Sequence, residues 1–403
     1  MNILSVHNYY KLPGGEDLVF KNEAAMLKKH GHNVFTYTRD NKELDAMNAP
    51  RKAGALINSA CSAKVRTEIS DIIRKKNIDI IHVHNTHMLI TPAVYYAACD
   101  NSIPVVQTMH NFRFFCIGAL LFKDGHICRK CMKNGLSHGV KNKCYHDSSL
   151  QSFFCKHILE KNRKRGIYKK ISYICLTEFN KKLLIKGMGG HIDASRIFVK
   201  PNFIPDESAS VKPSEITGRF FLYAGRLDDA KGIRELVKYW PSDVTLCICG
   251  SGPLKNDIEN EIKNKDIHLA GQKSHDEILS LMKSAEALVF PSLWYETFGM
   301  VIAESYMCGT PVIANDIGNG CDMVKKVTPE LVFHLEKNMP EADAASLKEK
   351  LKELTSGDLK EEYSSKCRTF YLDNFTEEKN YELLMDIYKK CLISAPLSRI
   401  RPL

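Results

Sequence analysis

Two carboxylates bracket seven uncharged, mostly apolar residues in "ETFGMVIAE", which runs from Glu296 to Glu304. Apolar periodicity beginning near Gly299 predicts a helix start there, so the first acid lies in a loop and the second inside the helix. The N–H groups near Gly299, Met300 and Val301 would form an anion site, because the first helical turn leaves its amide donors unpaired. Each carboxylate can then accept hydrogen bonds from hydroxyls at one end of a ligand. Taken singly, Glu296 could be an acid that stabilises the helix dipole, and Glu304 could be a buried, paired carboxylate.

Two cations and two glycines follow other predicted strands of the same half. Arg226 comes directly after a strand in "LYAGRLDDAKGI", and Lys231 opens the next helix. A forked guanidinium and a compact ammonium about one turn apart suit a diphosphate. Gly250 and Gly252 in "CICGSGPL" would let a ligand approach the backbone closely. Each feature alone is also typical of an ordinary loop or turn, and their combination favours a diphosphate site.

The elements that position these residues alternate between strands and helices. Strands are predicted at 2–7, 33–38, 78–85, 103–111 and 172–177, and then at 219–225, 244–252, 267–271, 286–292 and 310–315. Helical patterns separate them, beginning with 16–31 and 63–76. This order predicts an α/β protein with two doubly wound parallel sheets, whose ligands lie at the carboxyl ends of the strands.

Composition fits a globular protein of more than one domain. The chain has 403 residues, 44% hydrophobic and 26% charged, with neither a membrane-spanning apolar run nor a signal-peptide pattern. Without an export signal, its 14 cysteines are expected to be thiols or metal ligands. The net charge of +10 is uneven, because residues 1–200 hold 32 Lys+Arg against 15 Asp+Glu. This basic half suggests phosphate, a membrane surface or nucleic acid as partner, or simply a solvated surface.

The motifs of the second half resemble a known enzyme family. "YAGRLDDAKGI", "CGSGPL", "HLAGQKSHDEI" and "PSLWYETFGMVIAESYMCGTPVIAND" look like the retaining nucleotide-sugar glycosyltransferases of family 4. The resemblance covers nearly the whole chain and is strongest at 219–320. It implies the GT-B fold, in which two Rossmann-like domains face each other across a cleft.

The resemblance also implies a division of labour along the chain. We expect an acceptor-binding domain at 1–205 with a cysteine-rich excursion at 112–150, and a donor-binding domain at 215–375. The tail helix at 376–393 would cross back to the first domain.

For the donor, the resemblance assigns Arg226 and Lys231 to the diphosphate of a UDP- or GDP-sugar. Glu296 would contact the transferred sugar and Glu304 the ribose hydroxyls. The remaining donor-binding residues would be Gln272 and Lys273 at the base, with the backbone of Gly299, Met300 and Val301 at the sugar and phosphate.

In the first half, "LPGGED" is similar to the family's glycine loop, so Gly14 and Gly15 would approach the β-phosphate and the acceptor. "TMHN" places His110 where the family has a sugar-contacting histidine. A plain turn and a polar surface histidine are the structural alternatives.

The implied reaction moves a hexosyl or N-acetylhexosaminyl group to a hydroxyl of a saccharide or polyprenyl-diphosphate-linked saccharide, with retention of configuration. The leaving phosphate would help to deprotonate the acceptor, so neither a general base nor a catalytic metal is expected. One alternative is a sugar-nucleotide-binding protein without transferase activity. Nucleic-acid binding is not expected, because aromatic residues do not interleave with the basic ones. The first turn also lacks the G-x-G-x-x-G of dehydrogenases.

The excursion contains a C-x-x-C pair with two outlying cysteines. Cys116, Cys128, Cys131 and Cys144 could hold a structural zinc ion through four thiolates. The spacing matches no strong zinc template, and chance proximity remains the alternative. Competing ligands are Cys155, His126, His138 and His146.

The basic segment "KHILEKNRKRGIYKK" at 156–170 has two interpretations. It could contact an anionic membrane or a diphosphate-linked lipid acceptor, or it could be a solvated helix face. The first interpretation predicts a cytoplasmic protein, peripheral on the inner face of the cytoplasmic membrane. The family resemblance also suggests cell-envelope polysaccharide or lipopolysaccharide synthesis as the expected pathway.

Overall fold

The computed structural model describes residues 1–11, 14–48, 54, 58–340, 345–356 and 359–393. These residues form two compact units. The first comprises the described residues within 1–120, 129–201 and 380–393, and the second those within 121–128 and 202–379.

The first unit is built on a six-stranded parallel sheet, and a separate two-stranded hairpin belongs to the second unit. The strands in chain order are β1 Asn2–Tyr9, β2 Asn33–Asp40, β3 Ile80–Val83, β4 Val105–Met109, the hairpin strands β5 Phe122–Lys123 and β6 His126–Ile127, β7 Ser172–Cys175 and β8 Ile197–Val199. The large sheet has the order β2-β1-β3-β4-β7-β8. Its central strands β3 and β4 are buried at every position, as expected for a sheet covered on both faces.

Seven helices of the described chain precede the second sheet. They are α1 Gly15–Lys29, α2 Ala63–Lys76, α3 Ala93–Asp100, α4 Lys130–Asn134, α5 Ser137–Lys141, α6 Ser149–Lys164 and α7 Glu178–Met188. Helix α1 ends before Gly31, which adopts φ 81°, a left-handed conformation that favours glycine.

The second unit contains another six-stranded parallel sheet, ordered β11-β10-β9-β12-β13-β14. Its strands are β9 Phe221–Ala224, β10 Leu246–Cys249, β11 Ile267–Gly271, β12 Leu288–Phe290, β13 Val312–Asn315 and β14 Val332–Phe333. Strand β9 pairs with both β10 and β12, so the strand order reverses there. Ligands of doubly wound sheets bind outside the carboxyl ends of strands at this kind of reversal.

The helices of the second unit follow the same alternation. They are α8 Ile233–Tyr239, α9 Lys255–Glu261, α10 His275–Ser284, α11 Met300–Met307, α12 Gly318–Lys325, α13 Ala345–Ser356 and α14 Leu359–Asn374, after which α15 Glu377–Ile393 ends the described chain. The predicted strand–helix alternation and the two parallel sheets are confirmed. Strand β14, only two residues long, was not predicted.

A buried charged cluster joins four elements of the first unit. Glu23 of α1 and Lys200 after β8 are 2% and 1% exposed, and the Lys200 Nζ lies 3.1 Å from the Glu23 Oε2. The same ammonium lies 2.8 Å from the Oδ1 of Asn380 in α15. His82 of β3 places its Nδ1 2.8 Å from the Glu23 Oε1 and 2.7 Å from the hydroxyl of Tyr388 in α15.

Burial by itself would raise the pKa of Glu23, but His82, Lys200 and a hydrogen bond from His84 hold that pKa well below its usual range. The carboxylate is therefore ionised and saturated with partners. Helix α15 attaches to the first sheet through this cluster.

Replacing Glu23 with Ala is expected to lower the free energy of unfolding by about 3–5 kcal/mol, because it leaves the Lys200 ammonium buried without its carboxylate. Urea denaturation at neutral pH measures the change. Asp386→Ala serves as the control, since Asp386 and Lys390 form an exposed pair on α15. Equal, small effects of both substitutions would contradict the role given to Glu23.

Candidate functional site

The first cations of the candidate site follow β9. A short 3-10 turn at Asp229–Lys231 begins after Asp228, whose carboxylate accepts a hydrogen bond from the Lys231 amide at 3.1 Å. Arg226 is two-thirds exposed, and its Nη2 lies 2.9 Å from the Asp228 Oδ2. Arg226 is therefore an exposed surface cation, whereas the turn positions the backbone of Lys231.

Lys231 and Glu296 form an ion pair at the carboxyl ends of β9 and β12. The Lys231 Nζ lies 2.5 Å from the Glu296 Oε1 and 5.3 Å from the ring centroid of Trp294. The same carboxylate oxygen accepts hydrogen bonds from Trp294 Nε1 at 2.6 Å and Ser292 Oγ at 3.1 Å. The sequence predicted separate roles for the two charged residues, and the structure joins them.

The pKa of Glu296 is set by opposing influences. Burial would raise it, but the Lys231 charge and the hydrogen bonds from Lys231, Trp294 and Ser292 outweigh burial and lower it. Glu296 is consequently ionised at neutral pH. Trp294 and Ser292 were missed in the sequence, although both precede Glu296 in the same strand-end loop and carry side-chain donors.

Helix α11 begins where the sequence predicts. Gly299 caps it in the left-handed conformation with φ 92°, and the amides of Ile302 and Ala303 make the first bonds back to the Gly299 carbonyl. The amides of Met300 and Val301 precede those bonds, so they retain the donor character of a helix N-terminus.

Glu304 lies in the second turn of α11, where Glu207 and His275 influence its charge. Burial and the carboxylate of Glu207 raise its pKa, and the imidazole of His275 opposes them. His275 Nε2 itself lies 3.8 Å from the Glu207 Oε2. Glu304 therefore holds a proton more readily than an exposed glutamate.

The glycines after β10 have a structural explanation. Gly250 adopts φ 149°, and a Cβ there would overlap the Gly225 carbonyl oxygen. A Cβ on Gly252 would overlap the carbonyl oxygen of Leu227. The Gly225 amide donates to the Cys249 carbonyl at 3.0 Å, so the loops after β9 and β10 pack backbone against backbone. The fold itself requires these glycines, whatever binds nearby.

Gln272 and Lys273 follow β11 at the surface. Gln272 is exposed, and Lys273 Nζ lies 3.0 Å from the Glu277 Oε1 in an i, i+4 pair. The ion pair stabilises the start of α10, where Ser274 and Glu277 form a capping box. A base contact by these two residues stays a prediction.

In the first unit, Gly14 and Gly15 form the start of α1. Gly14 is the extended N-cap with φ −132°, and its amide donates to the Asp17 Oδ2 at 2.9 Å. The other oxygen of Asp17 lies 2.7 Å from the His7 Nε2. Among the described residues, a Cβ on Gly14 would meet nothing within 4 Å.

His110 follows β4 and stacks on His84. Their rings lie 5.2 Å apart between centroids, and the His84 Nδ1 lies 3.0 Å from the His110 Nε2. The second ring nitrogen of His84 lies 3.2 Å from the Glu23 Oε1. Burial lowers the pKa of His84 to about 4 and that of His110 well below its usual value. Both rings are therefore neutral at pH 7.

The four predicted zinc ligands are partly buried thiols. Within the first unit, Gly118 packs against Cys144, with its hypothetical Cβ 3.6 Å from the Cys144 Cβ. A Cβ on Gly139 would lie 3.2 Å from the Cys131 Sγ, and the Cys144 amide donates to the Gly139 carbonyl at 2.9 Å. Cys128 follows β6 in the hairpin that groups with the second unit.

Helix α6 contains most of the basic segment, and its cations are not equivalent. Arg163 donates from its Nη2 to the Phe114 carbonyl at 2.7 Å, and burial lowers its pKa. Lys164 and Arg165 are exposed. Arg163 is therefore a partly buried residue with a structural contact, whereas Lys164 and Arg165 face solvent.

Comparison with known proteins identifies the two halves. Residues 13–208 match the model described as Glycosyltransferase Family 4, and residues 206–370 match Glycosyl transferases group 1. The chain is 28% identical over 373 residues to the uncharacterized glycosyltransferase MJ1178 of Methanocaldococcus jannaschii, covering 89% of each. By its domains and its relatives, the chain is a glycosyltransferase.

Solved structures agree on the fold of this glycosyltransferase. A glycosyltransferase from Rickettsia africae covers 98% of the chain and 99% of its own length, with a TM-score of 0.65 at 20% identity. Anabaena Alr3699/HepE, solved with UDP and glucose, covers 97% and 100%, with a TM-score of 0.64 at 16% identity. The predicted GT-B fold is confirmed. Within the described residues of this glycosyltransferase, no helix is both long enough and apolar enough to span a bilayer.

We expect Gly250→Ala to lower the free energy of unfolding of this glycosyltransferase by about 1–3 kcal/mol, because the new Cβ meets backbone and the φ angle is unfavourable. Gly14→Ala should leave stability nearly unchanged, since its backbone is extended and the space around it is open. Urea titration of both variants checks the contrast. Equal stability of the two variants would show that the loops after β9 and β10 can move apart.

Proposed function

We propose that the protein is a retaining glycosyltransferase that moves a sugar from a nucleotide-diphosphate donor to a hydroxyl of a saccharide or lipid-linked saccharide. The observation that carries the proposal is the group formed by Arg226, Lys231 and Glu296 at the reversal point of the second sheet. A helix N-terminus, that of α11, begins in the same loop, three residues beyond Glu296.

In this proposal the second unit binds the donor. Lys231 is already held in place by Glu296 and Trp294, so little side-chain entropy is lost when its ammonium meets a diphosphate. Arg226 can exchange Asp228 for a phosphate oxygen, because both partners of that pair are near the surface. The amides at the start of α11 add partial positive charge. Preorganised donors of this kind stabilise the charge that develops on a departing diphosphate.

Glu296 has two tasks in the proposed mechanism. Its carboxylate fixes Lys231, and its remaining lone pairs accept hydrogen bonds from hydroxyls of the transferred sugar. Glu304, with its raised pKa, would accept or donate a hydrogen bond at the ribose.

The proposed reaction breaks the bond between the anomeric carbon and the diphosphate oxygen. The acceptor oxygen bonds to the same face of that carbon, and its proton passes to the leaving phosphate. His110 is neutral, so it would contact the sugar as a hydrogen-bonding group and not as an acid. The protein's contribution is orientation of the reactants and stabilisation of charge on the leaving group.

The donor is proposed to be a UDP- or GDP-linked hexose or N-acetylhexosamine. A structural neighbour solved with UDP and glucose supports a nucleotide sugar, and Gln272 and Lys273 would lie against the base. Cell-envelope polysaccharide or lipopolysaccharide synthesis, at the inner face of the cytoplasmic membrane, is the proposed setting. Unchanged sedimentation with anionic vesicles after charge reversal at the exposed Lys164 and Arg165 would contradict the membrane contact.

We also propose a structural zinc ion at Cys116, Cys131 and Cys144, with Cys128 as the fourth ligand predicted from sequence. Support comes from the packing of Gly118 on Cys144 and of Gly139 on Cys131, which draws this part of the excursion together. Thiolates are preferred ligands for structural zinc. Elemental analysis of purified protein should find one zinc per chain, and its absence from folded protein would refute the site.

Donor binding is tested by thermal shift and calorimetry against a panel of sugar nucleotides. One donor should stabilise the wild-type chain, and Lys231→Met should abolish the shift because it removes the fixed cation. Glu304→Gln should weaken binding through the lost carboxylate. Lys255→Met is the matched control, since Lys255 is exposed on α9 and pairs with Glu259. Full binding by Lys231→Met would contradict the proposed diphosphate site.

Turnover separates a transferase from a protein that only binds sugar nucleotides. With an acceptor present, the anomeric configuration of the product should match that of the donor, as read by NMR. Glu296→Gln should reduce kcat by on the order of 10²-fold, because its amide no longer anchors Lys231 electrostatically. Binding of a donor with neither transfer nor hydrolysis across an acceptor panel would favour the binding-protein alternative, and inversion would refute the retaining reaction.

A further inference from the structure

A small pocket, with a cavity volume of about 60 Å³, lies in the first unit at the carboxyl ends of β3 and β4. His87, His110 and Arg113 line its polar side, whereas Tyr95, Phe114 and Leu159 are among its apolar lining residues. The pocket therefore suits a ligand with one polar or charged group and one apolar surface.

Arg113 supplies the charge in this pocket. Its Nε and Nη1 atoms are buried, and neither has a hydrogen-bond partner among the described residues. The guanidinium lies 5.3 Å from the ring centroid of Tyr145, a cation–π contact that supplies no counter-charge. The Arg113 side chain as a whole is partly buried and also hydrogen-bonds to Tyr10, a neutral partner that does not balance its charge. Because a partly buried cation without a paired anion is costly, an external anion would stabilise it.

The neighbouring acids do not neutralise Arg113. Burial and the charge of Asp17 raise the pKa of Glu16 to about 8, in spite of Arg113 and hydrogen bonds from Asn111 and Asn85. Glu16 is therefore mainly protonated at pH 7. Asp17 is already engaged by His7 and by the Gly14 amide.

The imidazoles in the pocket add no positive charge. Burial lowers the pKa of His87, as it does that of His110, so both rings are neutral. The side chains that line the polar side therefore leave one net positive charge at pH 7, located on a guanidinium with two unused donor atoms.

We propose that this pocket binds an anionic group of the acceptor, a phosphate or a carboxylate, with Arg113 as its recognition residue. The inference rests on the proposed function, because it takes His110 as the residue nearest to the reacting sugar. Arg113 can hold two oxygens of the anion through its fork. The ring or chain that bears the anion would pack against Tyr95 and Phe114.

The test uses the full chain carrying Arg226→Ala and Lys231→Ala, so that anionic probes do not bind the cations of the second unit. Calorimetry with inorganic pyrophosphate, inorganic phosphate and D-glucuronate then reports on the first unit. At least one probe should bind, and adding R113Q should weaken that probe by at least roughly tenfold, as expected for loss of a charge-assisted pair. If only pyrophosphate or phosphate binds, the acceptor is phosphorylated. If only glucuronate binds, the acceptor carries an acidic sugar.

Two further variants make the outcome decisive. R113K keeps the charge without the fork and should retain intermediate affinity. R66Q is the matched control, since Arg66 is exposed and pairs with Asp100 at 2.6 Å, and it should not change binding. Binding of a probe that R113Q leaves intact, or no binding of any probe, would overturn the proposal.

Stability distinguishes recognition from a structural role. Without probe, R113Q should have an unfolding midpoint equal to or above that of its parent, because a partly buried charge without a paired anion has been removed. A clear fall in the midpoint would mean that Arg113 supports the fold through Tyr145, and would refute the anion site. Donor binding by the otherwise wild-type R113Q chain tests the second unit separately. Loss of donor binding would count against the proposed function. Retained donor binding, with no effect of R113Q on any probe, would count against this pocket alone.

Discussion

A single buried carboxylate, that of Glu23, organises the first unit. It brings together α1, β3, the end of β8 and the tail helix α15 through Lys200, His82 and Tyr388. Such a group is tolerated in a core only when its charge is fully matched, because desolvation would otherwise dominate. The cluster extends further, since the second imidazole beside this carboxylate, that of His84, stacks on the ring of His110. The position of His110 thus depends on a core interaction and not on a surface loop.

The second unit uses a different solution for its charged side chains. Glu296 and Lys231 come from loops that follow neighbouring strands, and Trp294 and Ser292 complete the hydrogen bonding of the carboxylate. The pair is partly buried, so each charge stabilises the other, and the ammonium is held at one point of the strand-end loops. The backbone beneath it is equally constrained, because Gly250 and Gly252 allow the loops after β9 and β10 to pack directly. Rigid backbone and a matched ion pair would together let the proposed diphosphate bind with little rearrangement.

Arg113, which carries the charge in the pocket beside His110, is less fully matched by its neighbours. Glu23 and Lys231 have partners, whereas the Nε and Nη1 of Arg113 are buried without hydrogen-bond partners among the described residues. Glu16 interacts electrostatically with Arg113, but its pKa is raised to about 8, and Asp17, the next residue in the chain, is engaged by His7. A bound anion would supply the partner that the Nε and Nη1 atoms of Arg113 lack among the described residues.

The sequence by itself determined the α/β class, the two parallel sheets and the start of α11, because hydrophobic periodicity and strand–helix order are local properties of the chain. It also located Arg226, Lys231, Glu296 and His110 at strand ends, since parallel strands direct their carboxyl ends to one edge of a sheet. Only the tertiary structure decided which of these residues interact. The Lys231–Glu296 pair spans 65 residues and the Lys200–Glu23 pair spans 177, and no pattern of spacing encodes such contacts. Burial was decided there too: it makes His84 and His110 neutral, raises the pKa of Glu16 to about 8 and partly encloses Arg163.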